Sequence, residues 1–70
     1  MSQTMKISVN GAIGEFESTT TVGELLNYLG LAGKPVVVEL NQRALFPREH
    51  ETAELQDGDV LELVQITAGG

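Results

Sequence analysis

The sequence closes on Ile66-Thr67-Ala68-Gly69-Gly70, and the group there with evident chemistry is the α-carboxylate of Gly70. Glycine carries no side chain and visits nearly all of backbone space, so Gly69-Gly70 reads as a thin, mobile thread. Chain ends are poorly ordered unless something ties them down. A carboxylate is inert until it is activated. An enzyme holding ATP would convert it to an acyl-adenylate, whose unhindered carbonyl a nucleophile then attacks. A thread without Cβ atoms suits a narrow active-site tunnel, and Ala68, Gly69 and Gly70 are the residues expected to enter one. The same residues are also what a floppy chain end looks like, and residue types alone leave both readings open. The strand that runs into this tail favours the first.

Elsewhere the chemistry is sparse. His50, the one histidine, lies in a polar stretch and reads as surface. Asp57-Gly58-Asp59 reads as a turn, since the other ligands of a calcium loop, above all the distal Glu, are missing. There is no cysteine, hence no disulfide framework, thiolate metal site or cysteine nucleophile. No catalytic residue, metal ligand or bound cofactor is expected.

Seventy residues make one domain, with a core that is modest because a chain this short buries only ~60% of its unfolded surface. Ten acidic residues against four basic ones give a formal charge of −6, which speaks against nucleic acid, whose binding rests on Lys and Arg contacts to phosphate. Such a charge suits steering onto a basic protein. No apolar run approaches the length of a membrane helix, and Met1-Ser2-Gln3-Thr4 does not read as a signal peptide. Met5 is an alternative start, and residues 1–4 are expected to form a disordered lead. The absence of cysteine fits a reducing cytosol, so the expected location is cytoplasmic.

The elements that must position the tail follow from periodicity. Met5 to Val9 alternates apolar and polar as a half-buried strand does. Asn10-Gly11 is a hairpin turn, because both residues tolerate positive φ. Ala12 to Glu17 returns, with Phe16 buried, Gly14 a candidate bulge, and Glu15 and Glu17 in solvent. Thr21-Val22-Gly23-Glu24 reads as a capping box. Val22, Leu25, Leu26 and Leu29 then make one apolar helical stripe, which Gly30 ends with positive φ while Leu31 packs back on the last turn. Val36 to Asn41, rich in β-branched residues, is a central strand with Val36, Val38 and Leu40 facing the helix. Asn41-Gln42 turns tightly into a short strand, Arg43 to Phe46, which Pro47 stops. A long connection, Arg48 to Leu55, has room for one helical turn, with Arg48 and Glu49 available to tie it down and Leu55 plugging the core. The last strand is Val60 to Ile66, with Leu61 and Leu63 inward.

Strand, strand, helix, strand, short strand, loop, strand places one helix across one face of a mixed sheet, with first and last strands parallel neighbours in the middle. This is an α+β, β-grasp arrangement whose last strand delivers the tail. A partner enzyme must hold the domain in order to aim so featureless a tail. On the alternation above, Val64 and Ile66 point to the sheet face away from the helix, joined by Val37 and edged by Glu39 and Glu62. Apolar residues on an acidic face mark a contact site, and these five are the expected partner-binding residues; the bland alternative is that they are only strand formers.

Several stretches, in this order and at these spacings, resemble the ThiS sulfur carriers of thiamin (thiazole) biosynthesis: Thr21-Val22-Gly23-Glu24-Leu25-Leu26, Glu39-Leu40-Asn41-Gln42, Phe46-Pro47-Arg48-Glu49, Leu55-Gln56-Asp57-Gly58-Asp59 and Gln65 to Gly70. The resemblance runs from about Met5 to Gly70. It implies a ubiquitin-like fold and a protein co-substrate that is not an enzyme. An E1-like enzyme of the ThiF type would adenylate the Gly70 carboxylate with ATP and magnesium. A sulfur donor such as a cysteine desulfurase would convert it to a thiocarboxylate, and a thiazole synthase of the ThiG type would accept the sulfur. Sulfur carriers of molybdopterin synthesis share the fold and the Gly-Gly end, and delivery to molybdopterin or another acceptor is the nearest alternative. A β-grasp regulatory or binding module, which would want a basic face and no Gly-Gly end, is a further one. A small hydrolase built on His50 and an acid has no nucleophile or motif behind it.

Overall fold

Two asparagine-led turns set the strand order. Asn10 and Gly11 both take positive φ (50° and 85°), the requirement of a two-residue type I′ turn whose twist matches that of the strands it joins. The turn closes β1 (Thr4–Val9) onto β2 (Ala12–Glu17), with Val9 opposite Ala12. Asn41 and Gln42 repeat the conformation (51° and 68°) between β3 (Val36–Leu40) and β4 (Arg43–Leu45), with Leu40 opposite Arg43. Between the two hairpins lies β5 (Val60–Gln65), parallel to β1 and antiparallel to β3, so the sheet runs β2-β1-β5-β3-β4. This computed structural model describes residues 3–66.

The single helix named among the described elements, α1 (Val22–Tyr28), crosses one face of the sheet. Its start is the expected capping box: the Thr21 N–H donates to Glu24 Oε1 at 2.9 Å, and the Glu24 N–H donates to Thr21 Oγ1 at 3.2 Å. Its end is a Schellman closure. Gly30, at φ 76°, donates to the Asn27 carbonyl (3.1 Å), and the Leu31 N–H donates to the Leu26 carbonyl (2.8 Å). The core between helix and sheet consists of Met5, Ile7, Val22, Leu25, Leu26, Val38, Leu45, Leu55, Leu61 and Leu63, with Leu31, Val36, Leu40 and Phe16 packed around it.

The long connection is stitched to the helix start. Val22 N–H donates to Ala53 O (2.9 Å), Leu55 N–H to Thr20 O (3.0 Å) and Gly23 N–H to His50 O (2.7 Å). Gly23 permits the last of these, since a Cβ there would lie 3.3 Å from the His50 carbonyl oxygen. A 3₁₀ turn, Pro47–Glu49, opens the connection.

Several expectations are corrected. Phe16 is half-buried and meets Tyr28 edge-on, ring centroids 6.0 Å apart. Gly14 makes no bulge but pairs in register with Ile7; a Cβ on it would stand 3.1 Å from the Phe16 ring, so the glycine makes room for that ring. Leu29 closes the helix and is 41% exposed, because the chain leaves the helical path there. β4 ends at Leu45, and Phe46 instead begins the 3₁₀ turn, its N–H donating to Glu49 Oε2 at 2.7 Å. Glu49 pairs with Arg43 (3.5 Å), while Arg48 lies over the Phe46 ring, 5.0 Å from its centroid. Finally, β1 begins at Thr4, and the Gln3 carbonyl accepts from the Ser18 N–H at 3.0 Å, so these two residues belong to the first hairpin and not to a disordered lead.

Candidate functional site

In β5 the side chains alternate as the sequence predicts: Leu61 and Leu63 are buried, while Val60, Glu62 and Val64 are exposed on the opposite face. β3 alternates in step, with Val38 buried and Val37 and Glu39 exposed. The register then decides what meets on the open face. Val37 stands directly opposite Val64, and Glu39 directly opposite Glu62. Ile66 follows just beyond the strand, its N–H donating to the Pro35 carbonyl at 2.9 Å. Four of the five residues expected to form one patch therefore lie on two adjacent strands, and Ile66 directly follows one of them. Val37, Val64 and Ile66 are 40%, 60% and 54% exposed, much for β-branched side chains in a small domain.

Two like charges directly across a strand pair are unfavourable, and Glu39 and Glu62 occupy such a position with no ion-pair partner among the described residues. A basic group from outside would relieve both. Ile13 and Val60 form a second exposed apolar spot on this face, both in register with Ser8 of β1.

Backbone anchors hold β5 on both sides, and these were missed as functional elements when the turns were read as turns alone. Asn10 donates its N–H to the Leu61 carbonyl (2.9 Å); its Oδ1 accepts from the Leu63 N–H (2.7 Å), and its Nδ2 donates to the Leu63 carbonyl (3.1 Å). Across the strand, Asn41 donates its N–H to the Val60 carbonyl (2.8 Å), its Oδ1 accepts from the Val60 N–H (3.0 Å), and its Nδ2 donates to Asp59 Oδ1 (3.0 Å). The Asp57-Gly58-Asp59 turn is spent on structure. Asp57 Oδ1 accepts from the Lys6 N–H and Asp59 Oδ2 from the Gln56 N–H, each at 2.8 Å. The available signal was the choice of asparagine: it tolerates positive φ, and it also carries a donor and an acceptor that imitate a peptide group.

A further concavity lies elsewhere, on the helix side. It is an open groove of about 980 Å³ between α1, the Leu31–Val36 segment and the 3₁₀ turn, lined in part by Glu24, Leu26, Leu31, Lys34 and His50. The His50 ring reaches its wall, and Nε2 is buried without a hydrogen-bond partner among the described residues. Among the described residues no carboxylate or hydroxyl is hydrogen-bonded to that nitrogen. Among the described residues no three His, Asp or Glu side chains gather to hold a metal ion, and no helix is long and apolar enough to cross a membrane. Ala68, Gly69 and Gly70 lie outside the described residues.

β5, anchored on both edges, leads in sequence to Gly69-Gly70, and the ThiS family model matches residues 3–70. The chain belongs to the ThiS family. It is also similar to the crystal structure of a thiamine biosynthesis protein (ThiS) from Geobacter metallireducens, at 32% identity and a TM-score of 0.80, over 94% of this chain and 100% of that one. This likeness extends to the mixed five-stranded sheet with one helix, so the β-grasp expectation stands. Two proteins named thiazole synthase are similar as well: one from Paramagnetospirillum magneticum, 35% identical over 66 residues, and one from Magnetococcus marinus, 36% identical over 66 residues. Each match takes in 94% of this chain, which spans 20% of the length of either relative.

Proposed function

We propose that this ThiS-family chain is a sulfur carrier in thiamin synthesis, a co-substrate rather than an enzyme. In this reading the Gly70 carboxylate attacks the α-phosphate of ATP, with magnesium, in an E1-like enzyme of the ThiF type, giving an acyl-adenylate and pyrophosphate. Free sulfide displaces AMP and leaves a thiocarboxylate directly; with a cysteine desulfurase as donor, the terminal sulfur of its persulfide displaces AMP to give an acyl disulfide, which a thiol reductant cleaves to the thiocarboxylate. The thioacid is then the nucleophile that a thiazole synthase of the ThiG type takes up. ATP and magnesium belong to the adenylating enzyme; the carrier binds neither.

The observation that carries this reading is the anchored strand β5. It leads from the core to the Gly-Gly sequence and presents Val64 and Ile66 beside it, with Val37, Glu39 and Glu62 completing a surface for the enzyme to hold. Charge on that surface governs mainly the rate of association with a basic partner. Thiazole synthase as the acceptor is supported by the two relatives of that name, in which a stretch like this whole domain occupies a fifth of the chain.

The test is intact mass after incubation with ATP, magnesium, sulfide and a ThiF-type enzyme. Conversion replaces one oxygen by sulfur, a gain of about 16 Da. An unchanged mass with an enzyme that modifies another ThiS protein in the same assay would refute the proposal.

A further inference from the structure

The ladder that holds β5 stops at different points on its two sides. On the β3 side, the Asn41 N–H bonds to the Val60 carbonyl and the Ile66 N–H to the Pro35 carbonyl. Hydrogen-bonded and non-bonded pairs alternate along an antiparallel ladder, so Glu62 and Val64 also turn their peptide groups toward β3. Leu61, Leu63 and Gln65 turn theirs the other way. Leu61 and Leu63 are answered there by Asn10, by its N–H and then by its carboxamide. Gln65 is exposed, and among the described residues no group answers its N–H or its carbonyl on that side.

The reason is the turn. β1 ends at Val9, the chain reverses at Asn10-Gly11, and the carboxamide extends the β1 edge by one residue of β5 and no more. Gly11 itself is unencumbered: a Cβ on it would meet nothing within 4 Å. An unpaired strand edge is a template for another backbone. Most edges are blunted by charge, proline or a short strand; this one, at Gln65, carries none of these and lies next to the exposed Val64 and Ile66.

We propose that an extended backbone segment of the adenylating enzyme pairs with β5 at Gln65, in line with β1, and so adds a strand above the Asn10-Gly11 turn. The inference rests on the sulfur-carrier reading and supplies what that reading lacks, a way to fix the direction of a strand whose next side chains offer little to grip. Main-chain hydrogen bonds would supply affinity, and contacts with the exposed Val64 and Ile66 side chains would supply specificity. Asn10 then has a second consequence: by ending the internal ladder at Leu63, it leaves Gln65 for the partner.

The experiment is amide hydrogen exchange on the full chain, free and in complex with a ThiF-type enzyme, with binding measured for Gln65→Pro and Gln65→Ala. Gln65→Pro removes the N–H that no group among the described residues uses, and its thermal unfolding is recorded to show that the fold stands. Strand addition predicts that the Gln65 amide exchanges about tenfold or more slowly in the complex, that Gln65→Pro weakens binding about tenfold, and that Gln65→Ala leaves it within about twofold. A complex that forms while the Gln65 amide exchanges at its free rate overturns the strand addition and leaves the carrier reading intact. Protection seen only with thiazole synthase overturns the choice of partner. Failure to form any complex with the adenylating enzyme removes the carrier reading and this inference together.

Discussion

Asn10 and Asn41 bracket β5 from opposite sides, each left-handed at the head of a hairpin turn and each holding a peptide group of that strand with its carboxamide. The arrangement joins two local events to one long-range one. Either turn would form with glycine in place of asparagine, since glycine meets the φ requirement more easily. Glycine would not hold the neighbouring strand.

Asn10→Gly separates the two roles. It keeps the turn and removes the bonds to the Leu63 N–H and carbonyl, which are part-buried. The expected loss of stability is about 1–3 kcal/mol, the cost of leaving such groups without partners. Urea unfolding measures it, and the Leu63 amide should lose exchange protection by more than its neighbours in β3. An unchanged midpoint would mean that water replaces the carboxamide at no cost.

Much of this fold was legible because its signals are local and mutually consistent. The Asn-Gly turn, the capping box and the alternation in the expected strands Val36 to Asn41 and Val60 to Ile66 each depend on a few adjacent residues, and the structure agrees with each, save that the strands end one residue earlier, at Leu40 and Gln65. What escaped depends on partners far along the chain. Phe16 looked like core, yet it sits on the edge strand β2, half-buried at the margin of the core and edge-on to Tyr28 of the helix. Glu49 was expected to tie the connection down, but which groups it would meet was not legible: the 3₁₀ turn aims it back at the Phe46 N–H and at Arg43. The second role of Asn10 depends on Leu63, which no local pattern connects to it.

The capping box gives a second prediction. Thr21→Ala removes the acceptor for the Glu24 N–H and should cost about 0.5–2 kcal/mol. That is a large share of the net stability of a small domain. The α1 start is also tied to the connection through Val22 and Gly23, so the helix should survive by circular dichroism while the unfolding midpoint falls. A midpoint within error would show that those backbone ties suffice without the cap.

Gly70 gives a third. Its carboxylate is the proposed reactive group, and every core residue lies between Met5 and Leu63. Deleting Gly70 should leave the melting temperature within error and abolish the mass gain with ATP, sulfide and the adenylating enzyme. A truncated chain that still gains sulfur would move the modification to another group.

The last prediction uses two adjacent residues with opposite fates. Leu63 is 9% exposed within the core and Val64 is 60% exposed opposite Val37. A strand alternates strictly, so one residue of register separates a folding defect from a binding defect. Leu63→Asp places a carboxylate among Ile7, Leu25 and Val38 or their neighbours, and an unpaired buried charge costs several kcal/mol. In a domain whose net stability is of the order of 5–15 kcal/mol that should unfold most of the chain. Val64→Asp adds charge to a surface already carrying Glu39 and Glu62. It should fold normally and raise the KM for adenylation by about tenfold or more, in keeping with loss of a central apolar contact. The kcat should hold, because Val64 is remote in sequence from the proposed reacting carboxylate of Gly70 and is expected to act through binding alone. Val64→Ala should be milder on the same measure. A Val64→Asp variant that is adenylated with unchanged KM would mean that the enzyme holds the domain elsewhere, and the Val37–Val64–Ile66 face would then be only strand-forming residues left in solvent.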